Sequence, residues 1–415
     1  MSIVILTAML FTAIPCLAGK AAFGPAILKQ AGEADANGTR ALIAPYIFRS
    51  DQIGLALGVA GGISGFQKGQ MSIGGTAYLS TDGAFSGIGV VNNHELFFSN
   101  RIFLDSLAIY ENSPDLWIFD GPSEGTRGGS NDSNVDDRYR GRGNDTRLEA
   151  TFKYIFPWGG AKDTPIATYA LKDGLLVSGA TGGEDWNPMK GGLTYFELTP
   201  FYRQQSVDDV IDGMQNYETA GGKIAIRYDN TDFPLNPTTG SKQRLQMSQG
   251  IGALTNDSSW TSIDFEYSKF ISFGETEYAR QQVLALGFWT AAVLSDNLPP
   301  SFEGATLGGL NRMRGFDNNR FWDKAAIYYS AEYRYIPKWN PFKNMTIAKV
   351  DWIQFIIFGE LGRVAPMWSI SELHQDMKYD AGVGVAALVN KYLGRIDTAF
   401  SPETWRIRVN IAQTF

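Results

Sequence analysis

Residues 405–415 read WRIRVNIAQTF, a stretch in which apolar and polar side chains alternate. The odd positions are apolar apart from Gln413, and the apolar set comprises Trp405, Ile407, Val409, Ile411 and Phe415. A period of two indicates a β-strand with one apolar and one polar face. A strand of a soluble sandwich shows the same alternation, but a terminal aromatic residue behind an export-type N-terminus is typical of the closing strand of an outer-membrane β-barrel.

The composition favours membrane-spanning strands over membrane-spanning helices. Of the 415 residues, 46 are glycine, 13% are aromatic and only 19% are charged, which suits segments that face lipid on one side. No apolar run reaches the roughly 18 residues that a spanning helix needs, so strands must do any spanning. The net charge of −7 argues against a nucleic-acid partner, because neutralising phosphates requires a basic surface.

The N-terminus has the pattern of an export signal. The apolar run SIVILTAMLFTAIPCLA ends at Cys16, Leu17 and Ala18, a small-x-small cleavage pattern. We therefore expect a signal peptide at residues 1–18 and a short N-terminal segment at residues 19–50. Cleavage would remove the single cysteine, which suits a chain that crosses an oxidising periplasm. A buried N-terminal helix is the alternative, whereas lipidation of the cysteine is disfavoured by the proline before it.

The sequence predicts that residues 51–415 form one domain of short strands and turns. Counting from Ile53, and leaving aside an insertion at residues 159–191, about sixteen strand-like stretches follow one another, an even number as a single-chain bacterial barrel requires. We therefore expect an all-β fold, a transmembrane antiparallel β-barrel. The insertion contains the apolar stretch IATYALKDGLLVSG and fits either a further hairpin or a lobe outside the barrel.

The stretch at residues 120–144 interrupts the strand pattern. It is rich in Gly, Asn, Asp and Arg, so it buries too little apolar surface to fold, and we expect a mobile extracellular loop. Its Asp and Asn side chains carry oxygens of the kind that bind calcium. Because their spacing is irregular, we expect no metal site there.

The most specific internal motif is GGLNRMRGF at residues 308–316, in a long loop between two strong strand patterns. Here the sequence resembles the BamA/TamA superfamily of outer-membrane assembly and translocation barrels. The resemblance implies a sixth extracellular loop that folds back into the lumen with an Arg-Gly-Phe or Arg-Gly-Tyr tip, which Arg314, Gly315 and Phe316 match. It also implies that Glu332 and Glu360, in the strands that follow, are the acidic partners of the loop arginine.

The alternation of the two strands agrees with that assignment. In IYYSAEYRY the apolar positions share one face and leave Glu332 on the other, and the same reasoning turns Glu360 inward in WIQFIIFGELG. An arginine in the lumen can donate paired, charge-assisted hydrogen bonds to such carboxylates and would be costly to bury unpaired. We therefore expect a latch in the lumen formed by Arg314, Gly315, Phe316, Glu332 and Glu360. The alternative is that Arg314 is a solvated loop residue.

Two features depart from the family pattern. The assembly factors of the family carry periplasmic POTRA domains ahead of the barrel, and residues 19–40 are too few for one, so the sequence predicts a barrel-only member. Some members kink the last strand at a glycine, where this chain has Ala412.

Catalytic chemistry has no convincing centre in the sequence. The two histidines, His94 and His374, lie in unrelated contexts, and neither has acidic or amide partners arranged for a Ser/His phospholipase. The glycine-rich stretch at residues 61–65 is not followed by Lys and Ser or Thr, as a phosphate-binding loop would require. We expect no enzyme activity and no cofactor.

The resemblance implies a protein of the bacterial outer membrane that takes part in, or is accessory to, the insertion or translocation of outer-membrane proteins. The alternative is a passive pore, or a barrel that anchors a partner protein at the surface. The expected partners are outer-membrane lipid, a periplasmic or surface protein, and the machinery that inserts this barrel itself. That machinery would recognise the apolar residues of the closing strand as an assembly signal.

Overall fold

A sheet of sixteen antiparallel strands dominates the structure, a computed structural model. It describes residues 10–12, 28–30, 40–50, 53–122, 125–178, 186–255, 258–345, 349–389, 392–410 and 413. The strands are β1 Arg40–Ser50, β2 Gly54–Phe66, β3 Met71–Ser80, β4 Phe85–Glu95, β5 Ile102–Ile118, β6 Tyr139–Ile155, β7 Leu193–Asp209, β8 Gly213–Asp229, β9 Gly240–Gly250, β10 Trp260–Ser272, β11 Ala279–Val293, β12 Ala325–Pro337, β13 Val350–Ala365, β14 Lys378–Val389, β15 Tyr392–Phe400 and β16 Trp405–Asn410.

Each strand pairs antiparallel with the next one along the chain, from β1 through to β16. Such a meander needs only connections between neighbours, and the predicted all-β barrel class and strand number are confirmed. In the sheet order β16 is followed by β1, so the seam between the last and first strands lies between Trp405–Asn410 and Arg40–Ser50.

The wall strands alternate between an outward apolar face and a buried inward face, which identifies the side of the sheet that surrounds the lumen. In β13 the outward Ile357 and Leu361 are 64% and 45% exposed, whereas the inward Gln354 and Glu360 are buried. Exposed apolar side chains are stable where they face lipid, and polar side chains are stable inside where they find partners. The orientation predicted for Glu332 and Glu360 is the one observed, since both are buried on the inward face.

The sheet begins earlier than the boundary at residue 51 that the sequence predicted. Residues 40–50 form β1 and pair along their whole length with β2. Pro45 lies in the middle of this strand, and a proline without an N–H is tolerated in a strand at a sheet edge but speaks against a central one. The short strand Leu10–Thr12, inside the predicted signal peptide, pairs in parallel with residues 47–49 of β1.

The two ends of the barrel differ in their connections. The end that carries residues 294–324 is termed the loop end, and the opposite end is termed the turn end. The stretch around residues 120–138 also lies at the loop end, but it is shorter than predicted because β6 already begins at Tyr139. Residues 294–324 contain a small hairpin of Ala305–Leu307 and Phe321–Asp323.

The insertion at residues 159–191 lies at the turn end, and its described part contains a hairpin. A 3-10 turn at Gly159–Ala161 leads to the paired strands Ala167–Lys172 and Leu175–Ser178. The strand Leu28–Gln30 adds to this hairpin in parallel. The described part of the insertion thus contains a hairpin, and this hairpin belongs to a three-stranded sheet separate from the wall.

Helices contribute little to the fold. The described residues contain the short α-helix Ile370–Leu373 and the 3-10 turn Gly252–Leu254 in addition to the turn already noted. No helix in this part of the chain is long and apolar enough to cross a membrane.

Gly240, which opens β9 after the turn PLNPTTG, provides a test of the fold. Its φ is +90°, and a Cβ there would lie 1.9 Å from the carbonyl oxygen of Asn230, whereas at Gly274, with φ +76°, a Cβ would meet nothing within 4 Å. We expect Gly240→Ala to lower the urea midpoint of unfolding clearly more than Gly274→Ala. The control carries only the strain of a positive φ, about 1–2 kcal/mol. If both variants lowered the urea midpoint equally, the close approach at Gly240 would contribute nothing to the free energy of unfolding.

Candidate functional site in the lumen

Residues 294–324 run through the lumen rather than into solvent. Near the start of this loop, Arg203 Nη1 donates a 3.0 Å hydrogen bond to the carbonyl oxygen of Phe302, and Lys223 Nζ lies 3.1 Å from Glu303 Oε2. These contacts tie the loop to the inner faces of β7 and β8. The hairpin of the loop then packs on the inner faces of β11–β13 in an apolar cluster formed by Trp289, Ala291, Ala305, Leu307, Met313, Phe316, Phe321, Ala326, Tyr328 and Val364.

The loop tip contains a glycine because of how closely it approaches the wall. A Cβ at Gly315 would lie 2.8 Å from the Cβ of Asp380 and 3.1 Å from that of Ser401, so a larger residue would have to push the wall away. The backbone N–H of Gly315 donates to Asp380 Oδ2 at 2.9 Å. Phe316 points away from these charges and packs edge-on against Phe321, with 5.1 Å between ring centroids.

Arg314 is buried among three carboxylates. Its Nη1 donates to Glu332 Oε1 at 2.7 Å and to Asp397 Oδ2 at 2.8 Å. Glu360 Oε2 accepts a 2.7 Å hydrogen bond from the backbone N–H of Arg314 and lies 3.2 Å from its Nε. The guanidinium also stacks on Phe358, 3.5 Å from the ring centroid. Removing a charge from water costs several kcal/mol, and only this number of direct partners offsets that cost.

Glu332 is the meeting point of the network. Besides Arg314 it binds Arg334, whose Nε donates at 2.9 Å, and Arg395, whose Nη2 donates at 2.7 Å. Arg395 also donates from Nε to Asp397 at 2.9 Å. The carboxylate is fully buried, so these three guanidinium groups replace its water shell and link β12 to β15 through the lumen.

The closing strand β16 binds the loop tip through its inward arginines. Arg406 forms two parallel hydrogen bonds to Asp317, at 2.9 and 3.0 Å. Arg408 donates to the carbonyl oxygens of Arg314, at 3.1 Å, and of Phe316. The polar face that makes this strand amphipathic is therefore the face that holds the loop.

Gln413 explains the one irregular position of the closing stretch. Its side chain is buried in the lumen, where it donates to Gln354 Oε1 at 2.9 Å and to Asn236 Oδ1 at 3.2 Å and accepts from Arg395 Nη1 at 3.0 Å. Asn410 is also turned inward, and strict alternation would turn residue 412 inward rather than 413. Asn410 and Gln413, three positions apart, are thus both turned inward.

The loop end is covered by residues 119–122 and 125–138, in the stretch where a mobile loop was predicted. The fully buried Arg320 donates to Ser133 Oγ at 2.9 Å and pairs with Glu403 at 2.8 Å. Trp322 donates from its indole N–H to the carbonyl oxygen of Phe119 at 2.6 Å. The prediction overlooked these partners because they come from the luminal loop, which supplies the apolar and charged contacts that the stretch itself lacks.

Asp120 lies where this cover meets the wall. Burial raises the pKa of its carboxyl, and the hydrogen bond from the Tyr217 hydroxyl, at 2.9 Å, opposes that rise.

Of the predicted latch residues, Arg314, Gly315, Glu332 and Glu360 lie together, while Phe316 joins the apolar cluster. Trp405, Ile407 and Val409 lie on the outward face of β16, and Ile411, Ala412 and Phe415 lie outside the described residues.

Sequence reasoning missed six network residues, Asp317, Asp380, Arg395, Asp397, Arg406 and Arg408. The sequence contained a signal for four of them. Side chains two residues apart in a strand share a face, as Arg395 and Asp397 do in RID and as Arg406 and Arg408 do in RIR.

Metal binding has no support in this part of the chain. Among the described residues no group of three or more His, Cys, Asp or Glu side chains is placed to hold a metal ion. In the network Glu332, Glu360, Asp397 and Asp317 are paired with arginines, and Asp380 accepts from the backbone N–H of Gly315, so these carboxylates cross-link the loop and the wall.

Comparisons with known proteins agree with this architecture. The model of the Omp85 superfamily domain matches residues 190–415, more than half of the chain. CdiB from Escherichia coli is similar in structure, with a TM-score of 0.51 and 10% identity over 90% of this chain and 68% of that one. This likeness concerns the fold.

Two further solved structures are similar at lower scores. BamA from Haemophilus ducreyi lacking POTRA domains 1–3 has a TM-score of 0.48 and 11% identity over 89% of this chain and 70% of that one. CdiB from Acinetobacter baumannii has a TM-score of 0.46 and 11% identity over 86% and 56%. No curated protein sequence matches the chain.

Replacing the buried loop arginine should weaken the folded barrel. Arg314→Ala removes the arginine partner of the buried Glu360 and one of the three arginine partners of Glu332, and breaking such a buried pair typically costs about 3–5 kcal/mol. We expect the variant to lose its fast mobility on semi-native gels at a lower temperature and to become protease-sensitive in residues 294–324. The control is Arg140→Ala, whose exposed pair with Asp115 contributes about 0–1 kcal/mol. Unchanged heat resistance and protease sensitivity of Arg314→Ala would exclude a structural role.

The pairing of loop and closing strand can be measured by a double-mutant cycle. We expect Asp317→Asn and Arg406→Gln to be coupled by about 0.5–3 kcal/mol in urea unfolding, because their two hydrogen bonds are mostly shielded from water. The exposed pair Lys338 and Glu275 provides the control cycle, for which we expect no measurable coupling. Additive losses for Asp317 and Arg406 would mean that β16 is not held by the loop.

Proposed function

This chain belongs to the Omp85 superfamily, and from that membership we propose that it takes part, without a catalytic step, in inserting or translocating outer-membrane proteins, or assists a machine that does so. It is a β-barrel of the bacterial outer membrane. In this proposal the loop end faces the cell exterior and the turn end faces the periplasm.

The observation that carries the proposal is the loop held inside the lumen. Contacts to β7 and β8 at its start, and to β12 through β16 at its tip, make the loop span the interior. A barrel filled in this way is poorly suited to passive diffusion of solutes. It is better suited to contacting a substrate at its wall, because the loop keeps the strands on one side of the seam in place.

The seam between β1 and β16 is the proposed site of contact with substrate or lipid. The first strand of the seam is Arg40–Ser50, since the sheet begins at β1. Residues 47–49 of β1 also pair in parallel with Leu10–Thr12, which illustrates that this edge can take up a further strand. A strand edge offers backbone hydrogen bonds that do not depend on the side chains of the incoming segment, which suits varied substrates.

Three partners follow from this role. Outer-membrane lipid covers the outward apolar faces. The machinery that inserts this barrel would recognise the closing strand through Trp405, Ile407, Val409, Ile411 and Phe415. A periplasmic or surface protein would deliver substrate, or use the barrel as an anchor.

Depletion of the protein in its host tests the proposed role. We expect a fall in the level of one or more other outer-membrane proteins, measured by quantitative proteomics of purified outer membranes. Expression of the wild-type chain should restore those levels, and Arg314→Ala should restore them less well at an equal amount of folded barrel. Normal levels of every other outer-membrane protein after depletion would contradict the proposal.

Planar bilayers separate this role from a passive pore. We expect the wild-type barrel to show only small or transient currents, because the loop occupies the lumen. A large, steady current that does not change when residues 304–322 are replaced by a short Gly/Ser linker would favour the pore.

A further inference from the structure

The turn-end hairpin crosses the barrel, and the proposed role of the luminal loop does not account for it. Residues 159–178 are termed the strap. The strap leaves the wall between β6 and β7, and its tip contacts β11 and β13, which lie much further along the sheet. Because all three contact points lie at the turn end, the strap extends over the opening there.

The base of the strap is firmly attached. Ala161 is fully buried in an apolar cluster with Phe103, Ile155, Leu193 and Tyr195. Arg101 donates to the carbonyl oxygens of Ala161 and Lys162, at 2.9 and 3.1 Å. An apolar cluster and a two-pronged arginine together make the base a fixed point.

The tip of the strap is held by two hydrogen bonds and one apolar side chain. The indole N–H of Trp352 donates to the carbonyl oxygen of Gly174 at 2.9 Å, and Arg280 Nη2 donates to that of Asp173 at 2.9 Å. Leu175 packs on an apolar cluster of the inner wall that includes Ile356 and Ala386. The base is in addition continuous with β6 along the chain, and the backbone N–H of Gly160 donates to the carbonyl oxygen of Gly192 at 2.7 Å. The tip is therefore where the strap would separate from the wall.

The fit at the tip depends on a glycine. Gly174 has φ +77°, and a Cβ there would lie 2.7 Å from the Cβ of Asp351 and 2.7 Å from Cδ1 of Trp352. Between base and tip, Tyr169 packs against Phe233 of the turn after β8, with 5.0 Å between ring centroids. The turn beneath it reaches the amide cluster of Gln354 and Gln413 through Asn236.

We propose that the strap is a gate over the turn-end mouth of the lumen, hinged at its base and released at its tip. When the tip is docked, the inner faces of β13 and β14 are shielded from the turn end. When the tip separates, Leu175 leaves the apolar cluster and that surface becomes accessible, while the loop held by Arg314 stays in place. The gate closes the turn end of the lumen, and the luminal loop closes the loop end. The closure by the gate does not depend on the identity of the substrate.

Cysteine accessibility tests the gate in the full-length chain. In a Cys16→Ser background, Ala386→Cys places a thiol in the apolar cluster under the tip, and its rate of labelling by a charged maleimide reports exposure from the turn end. We expect Gly174→Ala to raise that rate about tenfold, because the added Cβ displaces the tip and both of its hydrogen bonds. Gly213→Ala is the matched control, with φ +72° and nothing within 4 Å of an added Cβ, and should leave the rate unchanged.

A second reporter distinguishes gating from general loosening. Ala291→Cys lies in the cluster beneath the luminal loop, at the loop end, and its labelling should not respond to Gly174→Ala. Leu388→Cys, from the same cluster as Ala386, replaces the first reporter if Ala386→Cys fails to fold. Equal labelling of the first reporter with and without the Gly174→Ala substitution, or equal acceleration at both reporters, would overturn the gate.

Discussion

The structure depends on one buried carboxylate, that of Glu332, and on the three guanidinium groups around it. A fully buried carboxylate is stable only if nearby cations replace its hydration. Arg334 comes from the same strand, Arg395 from β15 and Arg314 from the luminal loop. Arg314 also binds Glu360 and Asp397, and Arg395 also binds Asp397. The result is a set of charges that can be satisfied only when loop and wall are assembled together.

This constraint accounts for the distribution of side chains in the molecule. The wall cannot have a continuous apolar core, because its outward face is apolar for lipid and its inward face surrounds a lumen. The loop supplies the missing interior, since its apolar residues pack on β11–β13 and its charged residues bind β12–β16. The cover at the loop end depends on it as well, because Arg320 and Trp322 hold residues 119–138.

The closing strand thereby acquires a structural role beyond the outward face that it presents to lipid. Its inward face holds the loop tip through Arg406 and Arg408, and Gln413 holds the end of the stretch against Gln354 and the turn after β8. The seam of the sheet is therefore bordered on one side by a strand that the lumen contents keep in place. At the turn end, the strap completes the enclosure with a weaker attachment that suits reversible motion.

The sequence alone determined the barrel class, the approximate number of strands and the inward orientation of Glu332 and Glu360, because side chains in a strand alternate with a period of two and that pattern is local. It also identified Arg314 through a motif in a loop between two strand patterns. Tertiary structure alone decided that Arg314 meets Asp397, 83 residues further along the chain, since no local pattern states which strands face each other across a lumen. Tertiary structure alone also decided that a proline-containing strand begins the sheet, that residues 119–122 and 125–138 cover the loop end, and that the strap crosses the turn end. The polar residue at an odd position, Gln413, was visible as an irregularity in WRIRVNIAQTF, but its reason, an amide partner on another strand, exists only in the folded barrel.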